Sequence, residues 1–83
     1  MRAPKVKRVR FEVMPDGDGN WKLTRDRVVI GQFPLKTRAV EYGVARARSC
    51  WGSGVPAQLL IKGRDGKIQD ERTYGRDPRH IPG

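Results

Sequence analysis

The residues that could carry acid, base or metal chemistry are few in this chain, and they stand apart from one another. Cys50 is the single cysteine and His80 the single histidine, and neither has a second ligand at metal-binding spacing. The two could act together as nucleophile and base, but Cys50 flanks a predicted helix and His80 lies in a proline-bounded tail. The sequence therefore predicts no metal site, no cofactor and no enzymatic activity.

A second group of residues resembles part of a calcium-binding loop. Asp16, Asp18 and Asn20 repeat the spacing of its first oxygen ligands. Trp21 stands where such a loop needs glycine, and Arg27 where it needs a bidentate glutamate. Glycine, proline and asparagine are dense here, so we predict a hairpin turn for this segment.

Basic side chains are the strongest remaining signal. The chain has 83 residues with 18 Lys and Arg against 9 Asp and Glu, which gives a net charge of +9. Such an excess attracts polyanions, and nucleic acid is the abundant one. We therefore expect a nucleic-acid-binding module that acts mainly through phosphate contacts. The expected binding residues are Arg2, Lys5, Lys7, Arg8, Arg10, Lys22, Arg38 and Arg46.

The charge leaves the partner open, and it does not distinguish DNA from RNA. The alternative is a protein-protein interaction module, a bacterial or phage adaptor that uses a sheet edge or the loop at residues 51–56. The same charge also fits a solvated surface without a binding role. We expect no membrane segment, because no apolar run is long enough to span a bilayer. A single cysteine fits the cytoplasm, and the oligomeric state is left open.

One helix, at residues 37–50, is predicted to organise the rest of the chain. Thr37 is the expected N-cap and Gly52 the expected C-cap. Gly43 is expected to let the helix lie close on a sheet. At about 100° per residue, the side predicted to be buried consists of Val40, Gly43, Val44, Ala47 and Trp51.

Five short strands are predicted around this helix. Alternation and β-branched residues indicate strands at residues 7–13, 21–24, 28–33, 57–62 and 67–73. Asp65-Gly66 predicts a hairpin between the last two, and the final strand, with Ile68 as its main apolar anchor, is expected at an edge.

The predicted fold is α+β, a single small domain with an antiparallel β-β-β-α-β-β sheet and one helix packed on one face. The domain is expected at residues 6–74, between a flexible basic arm at 1–5 and an irregular tail at 75–83.

Several short motifs in the chain occur together. They are Asn20-Trp21, Phe33 followed by Thr37, the strand and hairpin from Leu59 to Gly66, and the closing Tyr74-Gly75-Arg76-Asp77-Pro78. In this combination the chain resembles a family of small bacterial and phage domains of unknown function. The resemblance implies the architecture above and no particular activity.

Overall fold

The computed structural model describes residues 8–75, so the predicted arm at 1–5 and nearly all of the predicted tail lie outside the described residues. The predicted β-β-β-α-β-β order and the single-domain α+β fold are confirmed. The elements are β1 (Val9–Pro15), β2 (Trp21–Arg25), β3 (Val28–Phe33), α1 (Lys36–Gly52), β4 (Ala57–Lys62) and β5 (Ile68–Tyr74).

The five strands form one sheet in the order β3-β2-β1-β4-β5. The sheet is mixed, so the prediction of a purely antiparallel sheet is wrong for one pair. β1 and β4 run parallel, with Val9 opposite Ala57 and Val13 opposite Ile61. The reason is that α1 carries the chain back to the end of the sheet where β3 began, so β4 runs in the same direction as β1 and β3.

The core lies between one face of the sheet and α1. Alternate strand residues supply it, as the sequence pattern predicts. Phe11, Leu23 and Leu59 are completely buried and come from three neighbouring strands. The remaining buried sheet residues of this cluster are Val9, Val13, Trp21, Ala57 and Ile61.

Both predicted helix caps are wrong. Leu35, not Thr37, has the extended backbone of an N-cap, and it makes no side-chain capping hydrogen bond. Thr37 therefore lies inside the first turn of α1. At the other end Gly52 is the last helical residue, and Gly54, at a φ of +87°, takes the left-handed conformation that follows the helix.

The buried stripe of α1 consists of Ala39, Gly43 and Ala47. Trp51 continues this spacing, yet it is 42% exposed, so its predicted burial is wrong. It lies at the end of the helix beside Gly75, just past β5, where only part of the ring is covered. The predicted close approach at Gly43 is confirmed, because a Cβ added there would lie 2.9 Å from the Leu59 Cδ1 atom.

Both predicted turns are confirmed. At the first, the Asp16 N–H donates to the Asn20 carbonyl over 2.9 Å and closes the β1–β2 hairpin. At the second, the Gly66 N–H donates to the Gly63 carbonyl over 2.9 Å, and Gly66 has a φ of +83°. The left-handed conformation of Gly66 explains why the glycine follows Asp65.

β5 lies at an edge of the sheet, as predicted, but Ile68 does not anchor it. Ile68 is 52% exposed. The β4–β5 register shifts between Ile61 and Lys62, which sets Ile68 opposite Lys62. Lys62 is on the face away from the helix, so the shift turns the isoleucine out of the core.

Candidate nucleic-acid interface

The predicted binding residues do not form one patch. Arg2, Lys5 and Lys7 lie outside the described residues. Arg10 and Lys22 project from the sheet face opposite α1, which we call the open face. Arg38 and Arg46 are exposed on α1, on the other side of the sheet.

The open face is built from the outward residues of β1, β2 and β4. Because Phe11, Val13 and Leu23 point toward the helix, their neighbours point away from it. Together with Arg27 from the β2–β3 turn and Val29 of β3, these residues enclose a shallow concavity of about 410 Å³. It is lined by Arg10, Glu12, Met14, Lys22, Thr24, Arg27, Val29 and Lys62.

Ion pairs neutralise part of the charge on the open face. Glu12 accepts from two cations, with 3.0 Å from Oε2 to the Arg10 Nε atom and 3.0 Å from Oε1 to the Lys62 Nζ atom. Lys22 lies 3.8 Å from the Asp16 carboxylate, at the limit of an ion pair. The middle of the open face is therefore close to balanced in charge, although half of the residues that line the concavity are basic.

Arginines gather at the end of the sheet where β1 begins and where β2 turns into β3. Arg27 lines the concavity together with Arg10 on the open face, whereas Arg25 lies opposite Phe11 in β1 and therefore projects on the helix side at the same end of the sheet. Arg8 is exposed and immediately precedes β1. We call Arg8, Arg10, Arg25 and Arg27 the arginine rim.

The backbone at the rim is fixed by Asp26. The Asp26 N–H donates to the Arg10 carbonyl over 2.8 Å, and the Arg10 N–H donates to the Asp26 Oδ1 atom over 3.1 Å. Asp26 and Arg27 have φ values of 49° and 74°, as a tight two-residue hairpin turn requires. Two hydrogen bonds thus hold the turn, and the arginines beside it, against β1.

Within the described residues, only Arg10 of the rim belongs to an ion pair. Arg8, Arg25 and Arg27 are exposed, so their guanidinium groups can reach an anion from solvent. Arginine presents several N–H donors in a planar fork that matches the oxygens of a phosphate. The arrangement can therefore hold phosphate groups without first breaking an ion pair.

Arg25, Arg27 and Lys62 were missed by the sequence reasoning. Alternation from Leu59 and Ile61 places Lys62 on the outward face, which the sequence could have indicated. The position of Lys62 beside β1 could not be predicted from the sequence, because it depends on the parallel pairing of β1 with β4. Arg25 and Arg27 stand between the strands predicted at residues 21–24 and 28–33, and no binding role was predicted for them from the sequence.

The helix side carries a more dispersed set of charges. Arg38 pairs with Glu41 at 3.7 Å, and both side chains are largely exposed, so the pair contributes little to stability. Tyr42 packs its ring against Phe33, with 5.5 Å between ring centroids. Arg38 and Arg46 were predicted to form a second surface that binds nucleic acid, and this stays a prediction.

One arginine has a shifted pKa. On β5, the hydrogen bond from Arg72 to Asp70 raises the pKa of the guanidinium above its ordinary value, with a further contribution from Tyr74. Because arginine is charged at neutral pH in any case, this contact does not create a group that could exchange protons there.

The residues considered for catalysis and metal binding remain separate where they can be located. Cys50 is half-buried at the end of α1, and His80 lies outside the described residues, so their pairing stays untested. Between residues 8 and 75, no group of three or more His, Cys, Asp or Glu side chains is placed to hold a metal ion. In the same range, no helix is both long and apolar enough to cross a membrane.

A family model described as "Uncharacterized protein conserved in bacteria (DUF2188)" matches residues 11–74, from β1 to the last residue of β5. The chain belongs to this family. The expected membership in an uncharacterised bacterial family is thereby confirmed. The DUF2188 match includes the Asp65-Gly66 hairpin and ends at Tyr74, the first residue of the closing Tyr74-to-Pro78 motif. No curated protein and no solved structure matches the chain significantly.

Proposed function

We propose that this DUF2188 member is a non-enzymatic module that binds nucleic acid, mainly through phosphates and with weak sequence preference. The observation that carries the proposal is the arginine rim, where Arg8, Arg25 and Arg27 are exposed without a described acidic partner. The carboxylate of Asp26, in the turn itself, accepts from the Arg10 N–H and stays negatively charged, so it offsets one of the four positive charges of the rim. The rim therefore keeps most of its positive charge.

The chain before β1 adds to the charge at the same end. Arg2, Lys5 and Lys7 precede Arg8 in the sequence. Six residues of extended chain span at most about 20 Å, which is the greatest possible separation between the Arg2 and Arg8 α-carbons. Phosphates spaced along a nucleic acid could thus contact the rim and the arm together.

The composition of the open face supports phosphate contacts rather than base reading. None of the residues that line the concavity is aromatic, so no ring is placed there to stack on an exposed base. Single-strand recognition by a sheet generally uses such rings. We therefore propose that most contacts are made to the phosphate backbone of the nucleic acid. Separately, because the chain has a single cysteine, we propose the cytoplasm as its compartment.

The test is a salt titration with nuclease-treated protein and labelled DNA and RNA, each both duplex and single-stranded. For duplex DNA, log affinity should fall linearly with log salt, with a slope of roughly −0.9 for each phosphate neutralised. Changing three rim residues to glutamine (R8Q, R25Q and R27Q) should make the slope shallower by up to about 2.7, the sum for three contacts.

The matched control changes three exposed basic residues outside both the rim and the predicted helix surface (R48Q, R64Q and K67Q), which removes the same charge. We expect the rim variant to lose far more affinity than this control variant. Absence of binding by the unmodified protein at low salt would overturn the proposal. Equal losses in the two variants would overturn the assignment to the rim.

A second function is favoured by the outer edge of β3. Val28 is 64% exposed and Val29 46%, and β3 contains no charged residue, so a partner strand could add there. An adaptor of this kind should retain one stoichiometric protein in a pull-down after nuclease treatment. The partner should be lost with Val28→Lys and kept with Ile68→Lys, a comparable change on the opposite edge. Retention by both variants would exclude β3 as the docking edge.

A further inference from the structure

Glu12 lies between two basic side chains of the open face. Its side chain is only 12% exposed, and its two carboxylate oxygens are each 3.0 Å from a different cation, Arg10 and Lys62. Arg10 is two residues earlier on β1, and Lys62 ends the parallel neighbour β4. One carboxylate thus holds two cations from adjacent strands.

The position of Glu12 matters because Arg10 belongs both to this ion-pair group and to the arginine rim. A phosphate that approaches Arg10 or Lys62 meets a carboxylate already bound to the same donors. It must displace Glu12 from them or accept repulsion from a negative charge a few ångströms away. Because Glu12 is half-buried, less water screens its charge. This strengthens both its attraction to the two cations and its repulsion of a phosphate.

We propose that Glu12 is a built-in competitor for phosphate, which occupies Arg10 and Lys62 in the free protein and limits its affinity for nucleic acid. This inference rests on the proposed function, since it concerns the strength of binding at that same surface. Glu12 keeps the contact weak and reversible. Arg8, Arg25 and Arg27 make the first contacts, and Arg10 and Lys62 contribute only as far as phosphate replaces the carboxylate.

The test compares Glu12→Gln with Glu41→Gln, which makes the same chemical change on the exposed face of α1. Glu41 pairs with one arginine, at 3.7 Å, so both variants gain one unit of net charge, but Glu12→Gln releases two cations and Glu41→Gln one. We expect Glu12→Gln to tighten duplex binding roughly tenfold or more at low salt and to steepen the slope by up to about 1.8, the value for two further phosphates. Glu41→Gln should change affinity by less than about threefold, as expected from net charge alone.

A second comparison does not depend on the folding of Glu12→Gln. Lys62→Gln removes a cation that Glu12 already holds, whereas Arg27→Gln removes one without a described acidic partner. We expect Lys62→Gln to leave the salt slope nearly unchanged, and Arg27→Gln to make it shallower by about 0.9. Circular dichroism of each variant checks that the fold is retained.

The outcomes separate this inference from the proposed function. Binding by the unmodified protein with equal gains in Glu12→Gln and Glu41→Gln, or equal losses in Lys62→Gln and Arg27→Gln, would overturn the role of Glu12 alone. Absence of binding by every variant would overturn both. Binding by Glu12→Gln with none by the unmodified protein would support the role of Glu12 and contradict the proposed function.

Discussion

Replacing Gly43 by alanine sets two opposite effects against each other inside α1. Alanine is favoured over glycine in a helix interior by about 1 kcal/mol, so the change would stabilise an exposed helix. At Gly43, however, the new Cβ would lie 2.9 Å from the Leu59 Cδ1 atom and 3.2 Å from the Leu23 Cδ1 atom. Both leucines are completely buried, so neither has open space into which it can move.

The packing cost should exceed the gain in helix propensity. Adding a carbon to a filled core costs typically about 1–3 kcal/mol, because neighbouring side chains must leave their preferred rotamers. Subtracting the gain leaves a net destabilisation of roughly 1 kcal/mol. In a domain of this size that corresponds to a fall in Tm of about 4–8 °C.

The assay is urea and thermal unfolding followed by circular dichroism, with Gly52→Ala as the matched control. Gly52 is the last helical residue, and a Cβ added there meets nothing within 4 Å. We expect this control to be stabilised by a few tenths of a kcal/mol, up to about 1. A Gly43→Ala protein as stable as the Gly52→Ala protein would refute the close contact between helix and sheet.

A double substitution identifies which contact is responsible. Valine at position 59 lacks the δ carbons, so Gly43→Ala should cost less in a Leu59→Val background than in the unmodified chain. The difference between the two costs measures the coupling of Gly43 with Leu59. An unchanged cost would assign the penalty to Leu23 or to the backbone instead.

Three further predictions concern stability, each measured by urea unfolding. Leu60→Ala should cost about 2–5 kcal/mol because Leu60 is only 3% exposed although it lies on the open face, while Ile68→Ala should stay within about 0.5 kcal/mol; similar values would contradict the burial. Asp26→Ala should cost about 1–2 kcal/mol because the Arg10 N–H loses its carboxylate acceptor, and Asp26→Asn, which keeps an acceptor, should recover most of it. Gly66→Ala should cost about 1–2 kcal/mol from its φ of +83° alone, since open space surrounds the position; no loss would mean that the turn readjusts.

Local patterns in the sequence predicted the elements well. Alternation in Val9, Phe11 and Val13 identified β1 and the side that faces the core, because a half-buried strand imposes a period of two. Turn chemistry at Asp65-Gly66 identified the last hairpin. These features depend on neighbouring residues in the chain, so the sequence contains the information directly.

Features that depend on distant pairing were not predicted. The parallel pairing of β1 with β4 depends on the path of the whole chain, and with it the position of Lys62 beside Glu12. The register shift near Lys62 turned Ile68 outward, although its residue type favours a buried site. The same limitation applies to the interface, where Arg10 and Lys22 were found but their ion pairs with Glu12 and Asp16 were not.

The central place of β1 has a consequence for the order in which the fold can form. β1 pairs with β2 through a short turn, but its other neighbour, β4, lies beyond both β3 and the entire helix in the sequence. During synthesis the β1–β2 and β2–β3 hairpins can therefore form first. One edge of β1 then stays unpaired until residues 57–62 have been made. Closing this long connection costs chain entropy before any contact compensates for it, so we expect the β1–β4 seam to set the folding rate.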